Sequence, residues 1–488
     1  MTATATPFRT LFARWIATAC RRPASAGWLV SLLLGLALVL AASRASATEP
    51  QPEPFRKGDT VCIVGDSITH GGRYHAFLYL FYATRFPDRG VCLVNSGISG
   101  DSAGGAFKRL DWDILVHRPT AATVMLGMND VGRTLYGKDK TEAKHRQAQQ
   151  ATVQRYAANM TKLVEGLKKA NVRVTLVTPS IYEQNADTGT ENLFGCNDGL
   201  ANCALEVKKI AQQFGFPVID LHSAMDALNR QAQKSDPNFT LVGKDRVHPG
   251  EFGHFVMAYL LLKAQGVPQY VSQMAVAADS GTIVRQDHCR ISQLQASASE
   301  VAFDCLEAAL PFPVPPGAEG ALELVPFQQE MNQEVLKVTG LAPGTYTLAI
   351  DGQDVGQYDA ASLAAGVNLA CNPKTPQYQQ ALEVSQINAT RHSLEAGRLR
   401  TVAAMHNSLL NRGGVDLNDP AAVEKALAEQ LETRKSSPQY NYFKGVVANY
   451  RKYKPTHEAT VEEVKQSRQK IYQAAQPKSH HFVIRKGA

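Results

Sequence analysis

Between residues 60 and 260, apolar runs alternate with stretches of helical character. The apolar runs are Val61–Val64, Val91–Val94, Ala122–Leu126, Val172–Val177 and Val218–Asp220. Strands that are continuously apolar are buried on both faces, which is typical of a parallel sheet covered by helices. The pattern therefore predicts a doubly wound α/β domain, whose ligands bind at the carboxyl ends of the strands.

The chain of 488 residues is too long for one core, because single cores stop growing near about 250 to 300 residues. We assign residues 48–270 to the α/β domain. Residues 271–371 are rich in proline at first and later contain the β-like run Tyr346–Ile350, followed by the hairpin signal Asp351-Gly352. This pattern predicts a small β-rich module.

The last segment, residues 372–488, is polar and rich in Ala, Glu, Gln, Lys and Arg. Its apolar spacing predicts helices over Ala422–Arg434 and Val461–Ala474. We therefore expect a mainly helical C-terminal extension. Its role does not follow from the sequence.

Residues 1–47 carry five arginines and no acid, then the apolar run Trp28–Ala42 and the small residues Ala45-Ser46-Ala47. This order is typical of a secretory signal peptide that is cleaved after Ala47. An uncleaved membrane anchor is the alternative, but the run is shorter than the roughly 20 residues that span a bilayer. We therefore expect a secreted or periplasmic protein without stable membrane insertion after cleavage.

Charge and cysteine content change this picture little. Without the five arginines of the signal, 46 of the 51 basic residues remain against 44 acidic ones, so nothing indicates a nucleic-acid partner. Seven cysteines remain after Cys20 is removed. We expect bridges between Cys196 and Cys203 and between Cys289 and Cys305, and free core thiols at Cys62 and Cys92.

Three candidate functional residues follow the first three predicted strands. Ser67 lies in Gly65-Asp66-Ser67, where a strand ends and a helix begins, Gly100 lies in the glycine turn after the second strand, and Asn129 follows the third. Each alone also fits an ordinary helix cap or turn. Because parallel strands end at one edge of the sheet, all three are expected at that edge.

A fourth group, Asp245-Arg246-Val247-His248-Pro249, comes near the end of the α/β region. The proline biases His248 away from helical backbone angles, so its imidazole can face the sheet edge from a loop. Asp245 is close enough to accept a hydrogen bond from one ring nitrogen, which leaves the other free to take a proton. A pair of solvated turn residues is the alternative interpretation.

Together and in this order, the four groups resemble the sequence blocks of the SGNH (GDSL-like) hydrolase family over roughly residues 55–265. The resemblance implies a flavodoxin-like fold with Ser67 as nucleophile, His248 as general base and acid, and Asp245 as its orienting partner. It also implies an oxyanion hole built from the Ser67 amide, the Gly100 amide and the Asn129 side chain. Gly97 is the other candidate in the glycine turn.

Several other residues mimic catalytic motifs. The segment Gly100-Asp101-Ser102-Ala103-Gly104 matches the nucleophile elbow of α/β-hydrolases, but Ser102 lies well beyond its strand. Asp220 and His222 follow the fifth strand, and we interpret Asp220 as a helix cap. Surface or packing roles are expected for the remaining histidines considered, His254, His480 and His481.

These residue types predict hydrolysis of an ester through an acyl-enzyme, without a metal or organic cofactor. The expected substrate is an acylated small molecule or glycan, and removal of O-acetyl groups from a carbohydrate is favoured. A short-chain lipid or aryl esterase or thioesterase is the second hypothesis. A third is a glycan-binding protein with an inactive hydrolase domain. The exact substrate and the oligomeric state do not follow from the sequence.

Overall fold

The computed structural model describes residues 50–487, so the predicted signal peptide lies outside the described residues. Within that range, none of the helices combines the length and apolar character needed to cross a lipid bilayer.

A parallel sheet of five strands forms the first part of the described chain, in the order β2-β1-β3-β4-β5. The strands are β1 Thr60–Gly65, β2 Cys92–Gly97, β3 Ala121–Met125, β4 Arg173–Val177 and β5 Val218–Ile219. Nearly all residues of the first three strands are buried, as expected for a sheet covered on both faces. The predicted doubly wound α/β fold is therefore confirmed.

Seven helices connect or follow these strands. They are α1 Ser67–His70, α2 Tyr74–Arg85, α3 Ala103–Lys108, α4 Ala143–Lys169, α5 Cys196–Phe214, α6 Leu221–Gln233 and α7 Glu251–Ala264. Because every strand of the sheet is parallel, the loops that follow β1, β2 and β3 open at one edge. This edge carries the predicted functional residues.

The next segment forms two further sheets. Its strands are β6 Tyr270–Ala277, β7 Thr282–Asp287, β8 Cys289–Ala296, β9 Glu300–Glu307, β10 Gln333–Thr339, β11 Thr345–Ile350, β12 Gln353–Asp359 and β13 Val367–Asn368, with the short helices α8 Phe327–Met331 and α9 Ala360–Ala365. The predicted hairpin is present, since β11 and β12 are antiparallel and joined at Asp351-Gly352. Both sheets contribute to one apolar core, so they form a β-sandwich.

The last segment is helical until its final strand. Its elements are α10 Pro376–Leu394, α11 Arg400–Gly413, α12 Pro420–Thr433, α13 Tyr440–Tyr453, α14 His457–Ala474 and β14 Ser479–Lys486. Both predicted helices are therefore present, as α12 and within α14. Strand β14 pairs with β9 and β11, so the chain end completes a sheet of the β-sandwich.

The helical extension also packs into the core of the α/β domain. Ala381 and Val384 of α10 and Ile471 of α14 are buried in the same apolar cluster as strands β1 to β3. A separate small cluster joins α11, α12 and α13. The extension is thus continuous with the α/β core.

All seven cysteines within residues 50–487 are free thiols. The predicted bridge between Cys196 and Cys203 is wrong, because both residues lie on α5. Seven residues of helix separate them by about 10 Å, whereas bridged cysteines lie within about 7 Å. Cys289 and Cys305 are in hydrogen-bond contact but unbridged. Cys62 is buried and Cys92 partly buried, as expected of core thiols.

Candidate active site

Ser67 is the first residue of α1, directly after the end of β1. Asp66 caps this helix, and its carboxylate accepts a hydrogen bond from the Ile68 amide at 3.0 Å. Burial raises the pKa of Asp66 to about 6. Gly65 leaves room for the sharp turn, because a Cβ there would lie 2.1 Å from the Thr69 hydroxyl oxygen. The turn presents the Ser67 hydroxyl at the carboxyl edge of the sheet.

The structure brings Ser67, His248 and Asp245 together. His248 Nε2 lies 2.7 Å from Ser67 Oγ, and His248 Nδ1 lies 2.5 Å from Asp245 Oδ2. With Nδ1 protonated and donating to the carboxylate, Nε2 is free to accept the serine proton. This arrangement allows the imidazole to take the serine proton while the carboxylate orients the ring.

A compact turn fixes Asp245 relative to His248. Asp245 Oδ1 accepts hydrogen bonds from the backbone amides of Val247 and His248, at 3.1 and 3.0 Å. The Gly243 amide donates to the His248 carbonyl at 2.7 Å and closes the loop. One carboxylate therefore organises both the backbone of this turn and the imidazole.

Arg246 between them holds this turn against the neighbouring loop. Its backbone adopts a φ of 67°, which is uncommon for a residue with a side chain. The buried guanidinium donates to the carbonyls of Glu183, Ala186 and Thr190. The sequence analysis assigned no role to Arg246. Its position between Asp245 and His248 in the Asp-x-x-His motif could have indicated that it is structurally important.

The candidate site is open to solvent. The side chains of His248 and Asp245 are 47% and 54% exposed. Burial by itself would raise the pKa of Asp245, but the hydrogen bonds from the His248 ring and from the His248 and Val247 amides outweigh it, so the pKa is lowered. Asp245 is therefore ionised at neutral pH.

Asn129 is hydrogen-bonded to the turn that contains Gly100. Asn129 Nδ2 donates a hydrogen bond to the carbonyl of Asp101, the residue that follows Gly100, at 2.9 Å. The amide carries a second N–H, which has no partner among residues 50–487. Gly100 adopts a φ of 76° that favours glycine, and its amide likewise makes no hydrogen bond within the described chain. Both groups are thus available as donors at this edge, whereas the alternative Gly97 belongs to β2.

The residues that mimic catalytic motifs have structural roles. Ser102 caps α3 and accepts a hydrogen bond from the Gly105 amide at 3.2 Å. Asp220 caps α6, as predicted. His222 is buried against Asn197, and His254 is buried and stacked on Tyr74. His480 and His481 pair with Asp351 and Asp304.

Two surface cavities lie beside the loops that follow β3 and β4. Their volumes are ≈ 580 and ≈ 570 Å³, and both are lined by Tyr136, Gly137 and Lys140. Neither cavity is lined by Ser67, Asp245 or His248. In residues 50–487 no cluster of His, Cys, Asp and Glu has the arrangement of a metal site.

Comparisons with known proteins agree with this fold. Residues 61–261 match the model of the GDSL-like lipase/acylhydrolase family. A solved structure titled BT4096, a gut microbial diltiazem-metabolizing enzyme, is 34% identical, covers 90% of this chain and 100% of its own, and superimposes with a TM-score of 0.82. This similarity includes the β-sandwich and the helical extension, since it extends over nearly the whole chain.

A curated relative matches a smaller part of the chain. The acetylxylan esterase of Geobacillus stearothermophilus is 25% identical over 224 residues, which are 43% of this chain and 94% of that protein. A solved structure of the acetylxylan esterase Axe2 from the same organism covers 43% of this chain and 96% of its own at 25% identity, with a TM-score of 0.35. The chain belongs to the GDSL-like lipase/acylhydrolase (SGNH) family and is a carboxylic ester hydrolase.

Proposed function

We propose that this chain is an exported serine esterase that removes short acyl groups, chiefly O-acetyl, from carbohydrates through Ser67, His248 and Asp245. The observation that carries the proposal is the continuous contact from Ser67 Oγ through His248 to Asp245, at 2.7 and 2.5 Å. A serine hydroxyl is a poor nucleophile and needs an adjacent base. His248 is within reach of that proton, and the ionised Asp245 stabilises the imidazolium that forms.

The proposed reaction has two half-reactions. In the first, Ser67 Oγ attacks the ester carbonyl while His248 Nε2 takes its proton, and His248 then protonates the departing alcohol oxygen. In the second, His248 deprotonates a water molecule that attacks the acyl-enzyme, and the carboxylic acid leaves as Ser67 regains its proton. Each tetrahedral intermediate carries an oxyanion, which needs hydrogen-bond donors that are already in place.

Three donors are assigned to the oxyanion. The Ser67 amide lies at the start of α1, where a helix leaves its first N–H groups without intrahelical partners. The Gly100 amide and the second N–H of Asn129 complete the set. These donors require no metal and no organic cofactor.

Two features support acetyl esters of a large alcohol. The exposed His248 and Asp245 leave room for a bulky leaving group beside the serine. The curated relative, which matches 43% of this chain, is an acetylxylan esterase. A carbohydrate can approach such an open edge without being enclosed, while the acyl group faces the packed strand ends.

The test is release of acetate from acetylated xylo-oligosaccharides, and from a panel of other acetylated glycans, by the purified full chain. The expected result is a kcat/KM for at least one acetylated glycan well above that for an aryl acetate. Hydrolysis of aryl acetate without hydrolysis of any glycan would retain the esterase but overturn the carbohydrate substrate. Activity on neither would revive the hypothesis of a glycan-binding protein.

A small-molecule ester is the second candidate substrate. It is favoured by the relative that covers nearly the whole chain, which is titled a diltiazem-metabolizing enzyme. Diltiazem carries an acetate ester, so it belongs in the same assay. If the kcat/KM for diltiazem exceeds the kcat/KM for every acetylated glycan tested, a small-molecule ester is the favoured substrate.

Export is proposed from residues 1–47. The test is N-terminal sequencing of the protein recovered from periplasm or medium of a Gram-negative host. A mature chain that begins at Thr48 is the expected result. Retention of Met1 in a membrane fraction would instead favour the uncleaved anchor.

A further inference from the structure

A chain of buried charges lies beneath the turns that carry the candidate oxyanion donors. Asp101 pairs with Arg109 at 2.7 Å, Arg109 pairs with Asp113 at 2.5 Å, and Asp113 binds the guanidinium of Arg400 through both oxygens at 2.7 and 2.8 Å. All four side chains are at most 5% exposed. The first three belong to the α/β domain, but Arg400 begins α11 of the C-terminal extension.

Each of the two arginines in this series of buried charges also donates a hydrogen bond to the end of a strand next to the site. Arg400 Nε donates to the Gly97 carbonyl at 2.9 Å, where β2 ends before the Gly100 turn. Arg109 Nη2 donates to the Gly65 carbonyl at 3.3 Å, where β1 ends before Ser67. Asp101 is the member of this series farthest from Arg400, and its backbone carbonyl accepts the hydrogen bond from Asn129. The charges therefore connect the extension to all three assigned donors.

The extension also covers the open edge of β2, and of Val91 just before it, with side chains. Glu395 accepts a hydrogen bond from the Asn95 amide at 3.2 Å, Arg468 donates to the Leu93 carbonyl at 3.2 Å, and Tyr472 donates to the Val91 carbonyl at 2.8 Å. An edge strand otherwise exposes these backbone groups. Arg400 is the member of this series that lies nearest the carboxyl end of β2 and is joined to Asp113.

We infer that Arg400 is a positioning residue of the esterase, through which the C-terminal extension fixes the oxyanion donors. The inference rests on the proposed function. Oxyanion donors act on the transition state, so a small displacement of them lowers kcat more than it raises KM. A residue that only stabilised the fold would instead change the melting temperature and leave kcat of the folded enzyme intact.

The test is Arg400→Lys in the full chain, assayed with an aryl acetate below the melting transition recorded by circular dichroism. Lysine keeps the charge, but one ammonium cannot reproduce the planar fork that reaches Gly97 and both oxygens of Asp113. We expect kcat to fall by about tenfold with KM within about twofold. The matched control is Arg468→Lys, since Arg468 lies in the same extension and donates to a β2 carbonyl and to Glu395. It should lower the melting temperature but leave kcat within about twofold of the native value.

Epistasis with Asn129 separates positioning from a general loss of structure. In the Asn129→Ala background one of the affected donors is already absent, so Arg400→Lys should cost only about threefold in kcat. Equal losses in both backgrounds, or a loss confined to KM, would overturn the inference. Ser67→Ala distinguishes the two proposals. If it is inactive while Arg400→Lys turns over normally, the inference alone fails; if it keeps native turnover, the proposed function fails and the inference with it.

If Arg400→Lys does not fold, the same comparison is made at low temperature with Arg400→Gln and its control Arg468→Gln. The kcat of Arg400→Gln should again fall more than that of Arg468→Gln. Native turnover in folded Arg400→Gln would contradict the inference equally well.

Discussion

Asp245 holds His248 twice, through the ring Nδ1 at 2.5 Å and through the backbone amide at 3.0 Å. The two contacts use different oxygens of one carboxylate, so the imidazole and the backbone from which it projects are oriented together. Between the two residues, Arg246 adopts a left-handed backbone with a φ of 67°, so the turn is compact. The Asp-x-x-His spacing is therefore a structural unit.

Asp245→Asn should lower kcat for an aryl acetate on the order of 10³-fold. The amide is neutral and can present its N–H₂ group to Nδ1, which favours the wrong tautomer and leaves the imidazolium unstabilised. Steady-state kinetics at pH 7 to 8 check this expectation. Asp220→Asn, which alters another aspartate after a strand, should leave kcat nearly unchanged because Asp220 caps α6. Similar losses in both variants would contradict the assignment.

Ser67→Ala should abolish ester hydrolysis, because no other hydroxyl is bonded to His248 Nε2 in the described chain. Ser102→Ala removes only a helix cap and should retain kcat while destabilising the fold by about 1 kcal/mol. Acyl-enzyme trapping by mass spectrometry should label the peptide that contains Ser67. Labelling of the Ser102 peptide would move the nucleophile to the elbow-like motif.

Much of the α/β fold could be predicted because its strands are apolar at every position. Four of the five predicted strands agree with the structure to within one residue at each end, and the other, β2, ends at Gly97, three residues beyond the predicted Val94. Ser67, Gly100, Asn129, Asp245 and His248 were predicted from their places after strands or in a short motif. Local sequence is sufficient to predict such residues, because the parallel strands all end at the same edge of the sheet and bring them close together.

The role of the extension could not be predicted, because it depends on contacts between distant residues. Arg400 and Asp113 are 287 positions apart, and Glu395 and Asn95 are 300 apart. Charged residues in a polar helical segment are usually solvated, so nothing in residues 372–488 indicated that Arg391, Glu395 and Arg400 are buried. The return of β14 to the β-sandwich was missed for the same reason.

Asn129→Ala should lower kcat by about 100-fold to 1000-fold and leave KM nearly unchanged. Its side chain bonds only the Asp101 carbonyl in the resting structure, so removal costs transition-state stabilisation more than ground-state binding. Kinetics over a full substrate range separate the two parameters. A rise in KM with kcat preserved would assign Asn129 to substrate binding.

Stability should fall when the pH decreases from about 6.5 toward 4. Burial lowers the pKa of His75 to about 4 and of His254 to about 3. The unfolded chain binds these protons below pH 6.5 while the folded chain does not, so the stability is fully present above 6.5 and is lost as the pH falls. Each histidine contributes up to about 1.4 kcal/mol per pH unit.

Urea denaturation at several pH values between 4.5 and 7.5 measures this slope. His254→Gln should flatten it, since one of the buried titrating rings is removed. An identical slope in the native chain and in His254→Gln would contradict the assignment of the acid sensitivity to this ring.

The acyl group, more than the alcohol, should limit the substrate. Ile98 and Met128, the apolar side chains at the strand ends beside the donors, are each 2% exposed and already packed in the interior. A long acyl chain would therefore have to stay in water or displace them, and it would lose the gain of about 0.8 kcal/mol that each buried methylene provides. The alcohol side is different, because the exposed His248 and Asp245 face solvent.

A series of aryl esters from acetyl to decanoyl tests this limit on the full chain. Acetyl should be hydrolysed with a higher kcat/KM than octanoyl esters of the same alcohol, and this ratio is the measure of discrimination. Met128→Ala gives the matched variant, since it opens space beside Asn129 and should shift the preference toward longer acyl groups. If the kcat/KM of the native enzyme is highest for octanoyl or decanoyl esters, the proposal of a deacetylase is wrong and a lipase or thioesterase is favoured. That result would leave the roles proposed for Ser67, His248 and Asp245 unchanged, because the proposed reaction does not depend on acyl length.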